Sequence, residues 1–464
     1  MRAATVVRRL DWNFDPRGAM TRWHRGVPLL ALTSGGCSPS FDRWTILAPR
    51  GNAVRISATA CGSAGLLAAI RSLAPCCDAA FTADHQRLPF ASGWIGFIGY
   101  ECGALFEPHA RHRRSAPAAS AEHAWPDAVL CRVPRALIYE HASGSWFEVG
   151  DPQAQEVASL VDESREIAFD AHHWSPIDGG ALRPVAATGH FAELVTRTVE
   201  LIRGGDVFQA NISQVFRAAF DGSSRAFAID ALASAAPRYG AYLELDETQA
   251  LLSLSPELFL AVDGSARVVT TRPIKGTRPH ADDRAELLAS DKDAAELHMI
   301  VDLMRSDLGR VCVPGSVRVE TARAIEEHPT ILHAVAEVVG TLSHTADLAD
   351  LLAATFPPGS VTGAPKVRAM QIIDELESTR RGAYCGAIGF GSGCGSALLN
   401  VAIRTAQLSR EGDSARWKID YRAGCGIVAE SDPRAEESEC LDKTLALRNI
   451  LAAQRQPVAT SGRS

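Results

Sequence analysis

Lys275 lies in the phrase RPIKGTRP, between Arg272 and Arg278, where an apolar strand runs into a loop pinned by Pro273 and Pro279. Cations on both sides disfavour a charged ammonium, which would leave part of the lysine as a neutral, nucleophilic amine. The same residues also read as a basic surface loop, and the local sequence leaves both readings open. Glu257 follows a proline at the end of an apolar strand, in SPELF. Apolar surroundings raise a carboxyl pKa and suit the group to general acid work. Glu436, Glu439 and Lys443 recur at i, i+3 and i+7, so they share one helix face. Two carboxylates on one face can hold a hard divalent cation through oxygen. Glu296 opens ELHMIVDLMRSDLGRV, a helix that could bring a third carboxylate to that set or present ordinary solvated acids. His333, in ILHAVAEVVG, sits on an otherwise apolar face, where a lone histidine reads as a satisfied core residue.

These residues need elements to hold them. The turn Pro357-Pro358-Gly359 delivers Ser360 and Thr362 to the start of a helix, with Pro365 in its first turn and Val367, Met370, Ile373 and Leu376 at helical spacing. Open backbone N–H groups at such a start form an anion site. An anion site near paired carboxylates suggests a small polyanionic substrate held partly through a metal. Upstream, His190 to Gly204 is amphipathic, with Phe191, Leu194, Val195, Val199 and Ile202 on one side. Strands are expected over Val207 to Phe220 and Ala241 to Val262, and a long helix over Asp282 to Leu308. Residues 1 to about 170 alternate short apolar runs with glycine-rich bends, a mainly β region with a helix at Ala64 to Leu73. A charged helical stretch, Ala154 to Phe169, precedes a Gly/Pro-rich loop that marks a boundary near 170–187.

Composition narrows the class. At 46% hydrophobic and 22% charged, the 464 residues are those of a folded protein rather than a disordered one. A formal charge of −7 gives no footing for nucleic acid, and the basic run His109 to Arg114 is short and isolated, which reads as a solvated loop. The eleven cysteines are odd in number, without regular spacing or a CxxC, which argues against a disulfide framework or a zinc site. With no apolar run near ~20 residues and no signal-like N-terminus, the expected location is the cytoplasm.

Taken together, RPIKGTRP, ELHMIVDLMRSDLGRV, FPPGSVTGAPKVRAMQIIDELE, RGAYCGAIGF, NVAIRTA and AGCGIVAESDPRAEESECLDK resemble, in order, the motifs of the chorismate-utilising enzymes. The resemblance is strong over about 190–450 and extends through ASGWIGFIGYE and LTSGG into the N-terminal part typical of synthase large subunits. It implies an α+β fold, a single large unit of layered antiparallel sheets with flanking helices. It also implies an N-terminal synthase region (1–170), a chorismate-binding catalytic region (188–455), and Mg2+ as cofactor. Position by position, Glu296 and Glu439 match the metal-binding glutamates, with Glu436 on the same helix turn. His333 matches the site histidine, which overrides the core reading. Tyr384 and Arg404 match residues that hold a chorismate carboxylate, Gly424 and Gly426 the backbone that receives the other, and Ser360 and Lys366 the flanking loop.

Two positions divide the chemistries of this family. Members that add water to chorismate carry a lysine base where this chain has Gln209, so the chain is similar to the ammonia users. Anthranilate synthases carry alanine where this chain has Lys275, whereas aminodeoxychorismate synthases carry lysine there, and Asn211 fits the latter group. In that group the lysine attacks the ring as the 4-hydroxyl leaves, assisted by the glutamate at Glu257, and ammonia displaces the lysine to give 4-amino-4-deoxychorismate for para-aminobenzoate and folate synthesis. Cys385 replaces a usual glycine, Cys425 a usual alanine, and Ser306 and His280 stand where Asn and Arg are common. No glutaminase motif is present, so ammonia is expected from a separate glutamine amidotransferase subunit. The rival readings are an anthranilate synthase large subunit, disfavoured by Lys275, and a non-catalytic chorismate- or tryptophan-binding regulator, disfavoured by the retained glutamates.

Overall fold

A computed structural model describes residues 5–35, 43–74, 82–83, 86–110, 125–162, 173–279, 284–327 and 331–453. Within them the run 207–262 folds as four strands, Gln209–Gly222, Tyr239–Glu244, Gln249–Ser255 and Leu258–Asp263. Helix Ser224–Ala235 follows the first of these, and the Ser223 side chain caps it by accepting a hydrogen bond from the Ala226 amide.

Two large antiparallel sheets hold the strands. The first runs Val6–Leu10, Ser145–Gly150, Arg135–Glu140, Trp44–Pro49, Leu29–Thr33, Tyr239–Glu244, Gln249–Ser255, Thr405–Ser409, Arg416–Ile427, Gln209–Gly222 and Trp174–Pro176. The second runs Ile274–Pro279, Ile331–Thr341, Val268–Arg272, Leu258–Asp263, Ala397–Val401, Ala387–Ser392, Gly93–Ile98, Ala128–Val133 and Ala53–Ile56. Strand Arg318–Glu327 also pairs with Ile331–Thr341. Leu30, Ile46 and Leu243 of the first sheet share one apolar cluster with Ile95, Phe97 and Ile388 of the second, so the two layers bury a common core. Strands from either end of the sequence are neighbours in both sheets: Leu29–Thr33 pairs with Tyr239–Glu244, and Gly93–Ile98 with Ala387–Ser392.

The chain leaves the first sheet for the second at Pro256-Glu257, and returns between Val401 and Thr405. Ser255 Oγ donates to the Val401 carbonyl at 2.6 Å and the Val401 amide to the Glu257 carbonyl at 3.0 Å, fastening the two crossings side by side. Helices cover the outside of this frame. Lys366–Leu376 packs on Gln209–Gly222, Asp291–Gly309 on Ile274–Pro279 and Ile331–Thr341, and Pro433–Asp442 on Arg416–Ile427.

The helix His190–Arg203 buries Phe191, Leu194, Val195 and Val199, as its periodicity requires. The expected helix from Asp282 to Leu308 is two, Arg284–Ala289 and Asp291–Gly309, because Ser290 caps the second through the Asp293 amide. The expected helix from Ala154 is, over its described part, one 3-10 turn at Ala158–Leu160. There the Glu148 carboxylate accepts from the Val157 and Ala158 amides at 2.6 and 3.3 Å and holds the chain against the sheet. The basic run at 111–114, the cysteine pair 76–77, His280 and the tail beyond 453 lie outside the described residues. Among the described residues, no helix is long and apolar enough to cross a membrane.

Candidate functional site

Both sheet crossings present charged side chains to one place. Glu257, at the first, is 4% exposed, and Ser360 Oγ donates to its Oε1 at 2.6 Å. Burial pushes the Glu257 carboxyl up to about 7, against the Ser360 hydrogen bond, the charges of Lys275 and Arg404, and a hydrogen bond from the Ile274 amide. Near neutrality such a group can still carry a proton to give. Arg404, at the second crossing, has φ of 50°, a left-handed backbone that re-aims its side chain. Burial pulls its pKa down, while Tyr421 and Glu257 push it up. Its guanidinium makes no hydrogen bond or ion pair among the described residues. The buried Arg381 and Arg422, by contrast, are both paired with Glu377. A partly buried cation near Glu257 but not hydrogen-bonded or ion-paired to it is suited to receive an anionic ligand.

Lys275 and Gln209 converge on Glu296. Lys275 Nζ is 3.7 Å from Glu296 Oε2, and Gln209 Nε2 donates to the same oxygen at 3.4 Å. Both tips lie over Gly426, where an added Cβ would come within 2.3 Å of Gln209 Nε2 and 2.9 Å of Lys275 Nζ. Gly424 is required by a different approach, since a Cβ there would meet the Ile212 carbonyl oxygen at 2.1 Å across the strand pair. Of the two cations expected beside Lys275, the structure describes the side chain of Arg272. Arg272 is turned away to Glu326 and to Glu337, the latter at 3.0 Å, and the Arg278 side chain lies outside what is described. Among the described residues, Lys275 faces the acids Glu296 and Glu257.

The helix Pro433–Asp442 starts at Asp432, whose side chain accepts from the Arg434 and Ala435 amides, with Pro433 at its first position. It aims Glu436 inward, where Ser431 Oγ donates to Oε1 at 2.7 Å, while Glu439 stays exposed and pairs with Lys443 at 2.8 Å. Lys443 Nζ also donates to the Gly424 carbonyl at 2.8 Å. Ligand atoms of Cys425, Glu436 and Glu439 lie within 4.8 Å of one another. The two carboxylates fit a hard cation such as Mg2+, whereas burial raises the Cys425 thiol well above its ordinary pKa and leaves it a poor ligand for such an ion. Glu296 is not in that compact group, being engaged with Lys275 and Gln209.

Tyr384 is buried, hydrogen-bonded to the Asn211 side chain, and followed by Cys385 at φ 63°. A left-handed φ of this kind is one that glycine adopts more readily than a side-chain-bearing residue such as cysteine. His333 is buried in Ile331–Thr341, opposite Thr277 of the Lys275-bearing strand. Lys366 stands apart from the set. Its ammonium donates to Asp307 Oδ2 at 2.6 Å and to the Thr355 carbonyl at 2.9 Å, tying the Ser360 loop and its helix to Asp291–Gly309. The residues left unassigned in the sequence are Arg381 and Glu377, buried behind the site. The sequence signal was a pair of charges, four residues apart, at the junction of a helix and an apolar strand.

A family model described as chorismate binding enzyme matches residues 42–449. Aminodeoxychorismate synthase component 1 of Klebsiella aerogenes is 40% identical over 371 residues, covering 77% of this chain and 77% of its own length. Anthranilate synthase component 1 of Saccharolobus solfataricus is 34% identical over 372 residues, covering 79% of this chain and 82% of its own. The crystal structure of anthranilate synthase component I from Streptococcus pneumoniae superposes with a TM-score of 0.73 at 28% identity, covering 89% of this chain and 93% of that one.

Proposed function

The chain belongs to the chorismate-binding enzyme family, and we propose that it aminates chorismate at C4 to give 4-amino-4-deoxychorismate. The observation that carries this reading is Lys275 beside a buried acid: its charge acts on Glu257, whose carboxyl is raised to about 7. The lysine amine bonds to the ring as the C4–oxygen bond breaks, and Glu257 supplies the proton with which the hydroxyl leaves as water. Ammonia then forms the C4–nitrogen bond as the lysine–ring bond breaks, the lysine leaves as the neutral amine it was, and the proton shed by the new C4 ammonium returns to Glu257. The enolpyruvyl group stays in place throughout. Arg404 and Tyr384 would hold one substrate carboxylate, and the Gly424–Gly426 backbone the other. Mg2+ on Glu436 and Glu439, with Glu296 turned toward them, would neutralise substrate charge. Ammonia comes, in this reading, from a separate glutamine amidotransferase subunit. In this reading the reaction runs in the cytoplasm, where thiols stay reduced.

The second reading, anthranilate formation, is favoured by the similarity to anthranilate synthase component I chains. One assay separates them: the purified chain with chorismate, Mg2+ and ammonium at mildly alkaline pH, products identified by mass. Aminodeoxychorismate is expected, with no product when glutamine replaces ammonium. Wild type forming chiefly anthranilate and pyruvate overturns the proposal. Lys275→Ala is expected to lose most of the rate and the trapped covalent adduct; a variant with full rate would remove the covalent step and leave the amination standing.

A further inference from the structure

We propose that Arg381 is a positioning residue that sets three substrate-facing segments at once without touching substrate. Arg381 is 3% exposed, and its guanidinium lies among the backbones that carry the site. It donates to the carbonyl of Asn211, on the strand that presents Gln209, and at 3.2 Å to the carbonyl of Val361, next to Ser360. Its Cζ is 4.6 Å from the Tyr100 ring centroid and 5.7 Å from that of Tyr384. Glu377 holds this fork in place through bonds of 2.7 and 3.0 Å, and is itself held by the Ser213 amide and hydroxyl, each at 2.8 Å, and by Arg422 at 3.0 Å. Glu101 accepts from the Arg381 and Gly382 amides at 2.8 and 3.1 Å, which anchors the backbone of the same turn.

The planar fork matters because its nitrogens reach fixed directions simultaneously, which a single ammonium cannot do. Lysine at 381 keeps the charge for Glu377 and releases the Asn211 or Val361 carbonyl. Movement at Val361 loosens the Ser360–Glu257 hydrogen bond, which holds the Glu257 pKa down. Glu257 is also faced by Lys275, Arg404 and the Ile274 amide, none of which Arg381 touches. The limb of the pH profile that falls as Glu257 loses its proton therefore moves to higher pH when Arg381 no longer sets the loop.

The inference rests on the amination reading, and the test separates the two. Arg381→Lys and Arg422→Lys both disturb Glu377, but Arg422 bonds Ser213 and Thr379 rather than the Val361 or Asn211 carbonyls. With chorismate, Mg2+ and ammonium, Arg381→Lys is expected to raise KM at least fivefold, lower kcat/KM at least tenfold and shift the falling limb upward. Arg422→Lys is expected to melt earlier while KM and the limb stay near wild type. Tyr100→Leu removes the ring beneath the guanidinium but leaves its ion pair, and is expected to move KM and the limb in the same direction by a smaller amount. Should Arg381→Lys fail to fold, Tyr100→Leu decides. Wild-type KM and an unmoved limb in the folded variants, or equal shifts in Arg422→Lys, overturn the positioning role. A wild type that consumes no chorismate instead sinks the reading of the activity.

Discussion

At Glu257 the chemistry that the site needs is in conflict with the stability of the chain. Burial raises its carboxyl from an ordinary 4.5 to about 7, so between those values the native state holds a proton that the unfolded chain has released. Native binding of more protons means stability falls as pH rises through that window, by up to about 3 kcal/mol once both values are passed. Glu257→Gln is therefore expected to abolish turnover yet melt at a higher temperature than wild type at pH 8, with the gap closing toward pH 5. Melting curves at the two pH values check it, and an equal or lower melting temperature at pH 8 would refute the buried-acid account. The carboxylates proposed for the metal make a second prediction at this scale. Glu439 is held by Lys443 and Glu296 by Lys275 and Gln209, so Mg2+ must compete with internal donors for both. Glu439→Gln and Glu296→Gln are each expected to weaken Mn2+ binding, followed by calorimetry, at least tenfold and to remove Mg2+-dependent turnover. Two titrations matching wild type would remove these residues from the metal site.

At the scale of elements, the site is made where chain segments change sheet. Glu257 and Arg404 occupy the two crossings, and the bonds between Ser255, Val401 and Glu257 keep these crossings together. Lys366 acts at the same scale, as the buried tie between the Lys366–Leu376 helix and Asp307 of Asp291–Gly309. Burial raises the Asp307 carboxyl and the Lys366 ammonium opposes that rise. Removing one partner leaves the other charge buried and unpaired, at a cost of roughly 3–5 kcal/mol. Lys366→Met is thus expected to lower the melting temperature sharply, and Lys366→Met with Asp307→Leu to recover most of the loss. If the double variant also regains chorismate KM, Lys366 serves the fold. Recovered stability with KM still raised would return it to the substrate contacts.

At the scale of the whole molecule, the regions before 170 and after 188 are interleaved. Gly93–Ile98 stands between Ala387–Ser392 and Ala128–Val133, and Leu29–Thr33 pairs with Tyr239–Glu244. Without residues 1–170, Ala387–Ser392 and Tyr239–Glu244 would each expose a backbone edge and an apolar face. We expect a chain of residues 188–455 expressed alone to aggregate or to be digested rapidly by protease, and to be rescued by co-expression with 1–170. A soluble, protease-resistant 188–455 fragment that turns over chorismate would show that the two regions fold separately.

Local physics made much of this legible in the chain itself. Helical spacing marks His190–Arg203 and Lys366–Leu376, and the two acids Glu436 and Glu439, three residues apart on Pro433–Asp442, are countable without coordinates. Motif order pointed to the family, and through the resemblance to the glutamates, Arg404 and Lys275 as candidates, because those residue types sit in fixed phrases. What the sequence could not decide is which side chains meet across long separations. Lys275 faces Glu296 and Glu257 rather than its sequence neighbour Arg272, because the strand turns its ammonium inward while Arg272 is drawn to Glu326 and Glu337. Lys366, expected among the substrate contacts, is bonded to Asp307, 59 residues away, a pairing that no local pattern announces. Charge pairing and burial are properties of the packed layers, and only the tertiary structure assigns them.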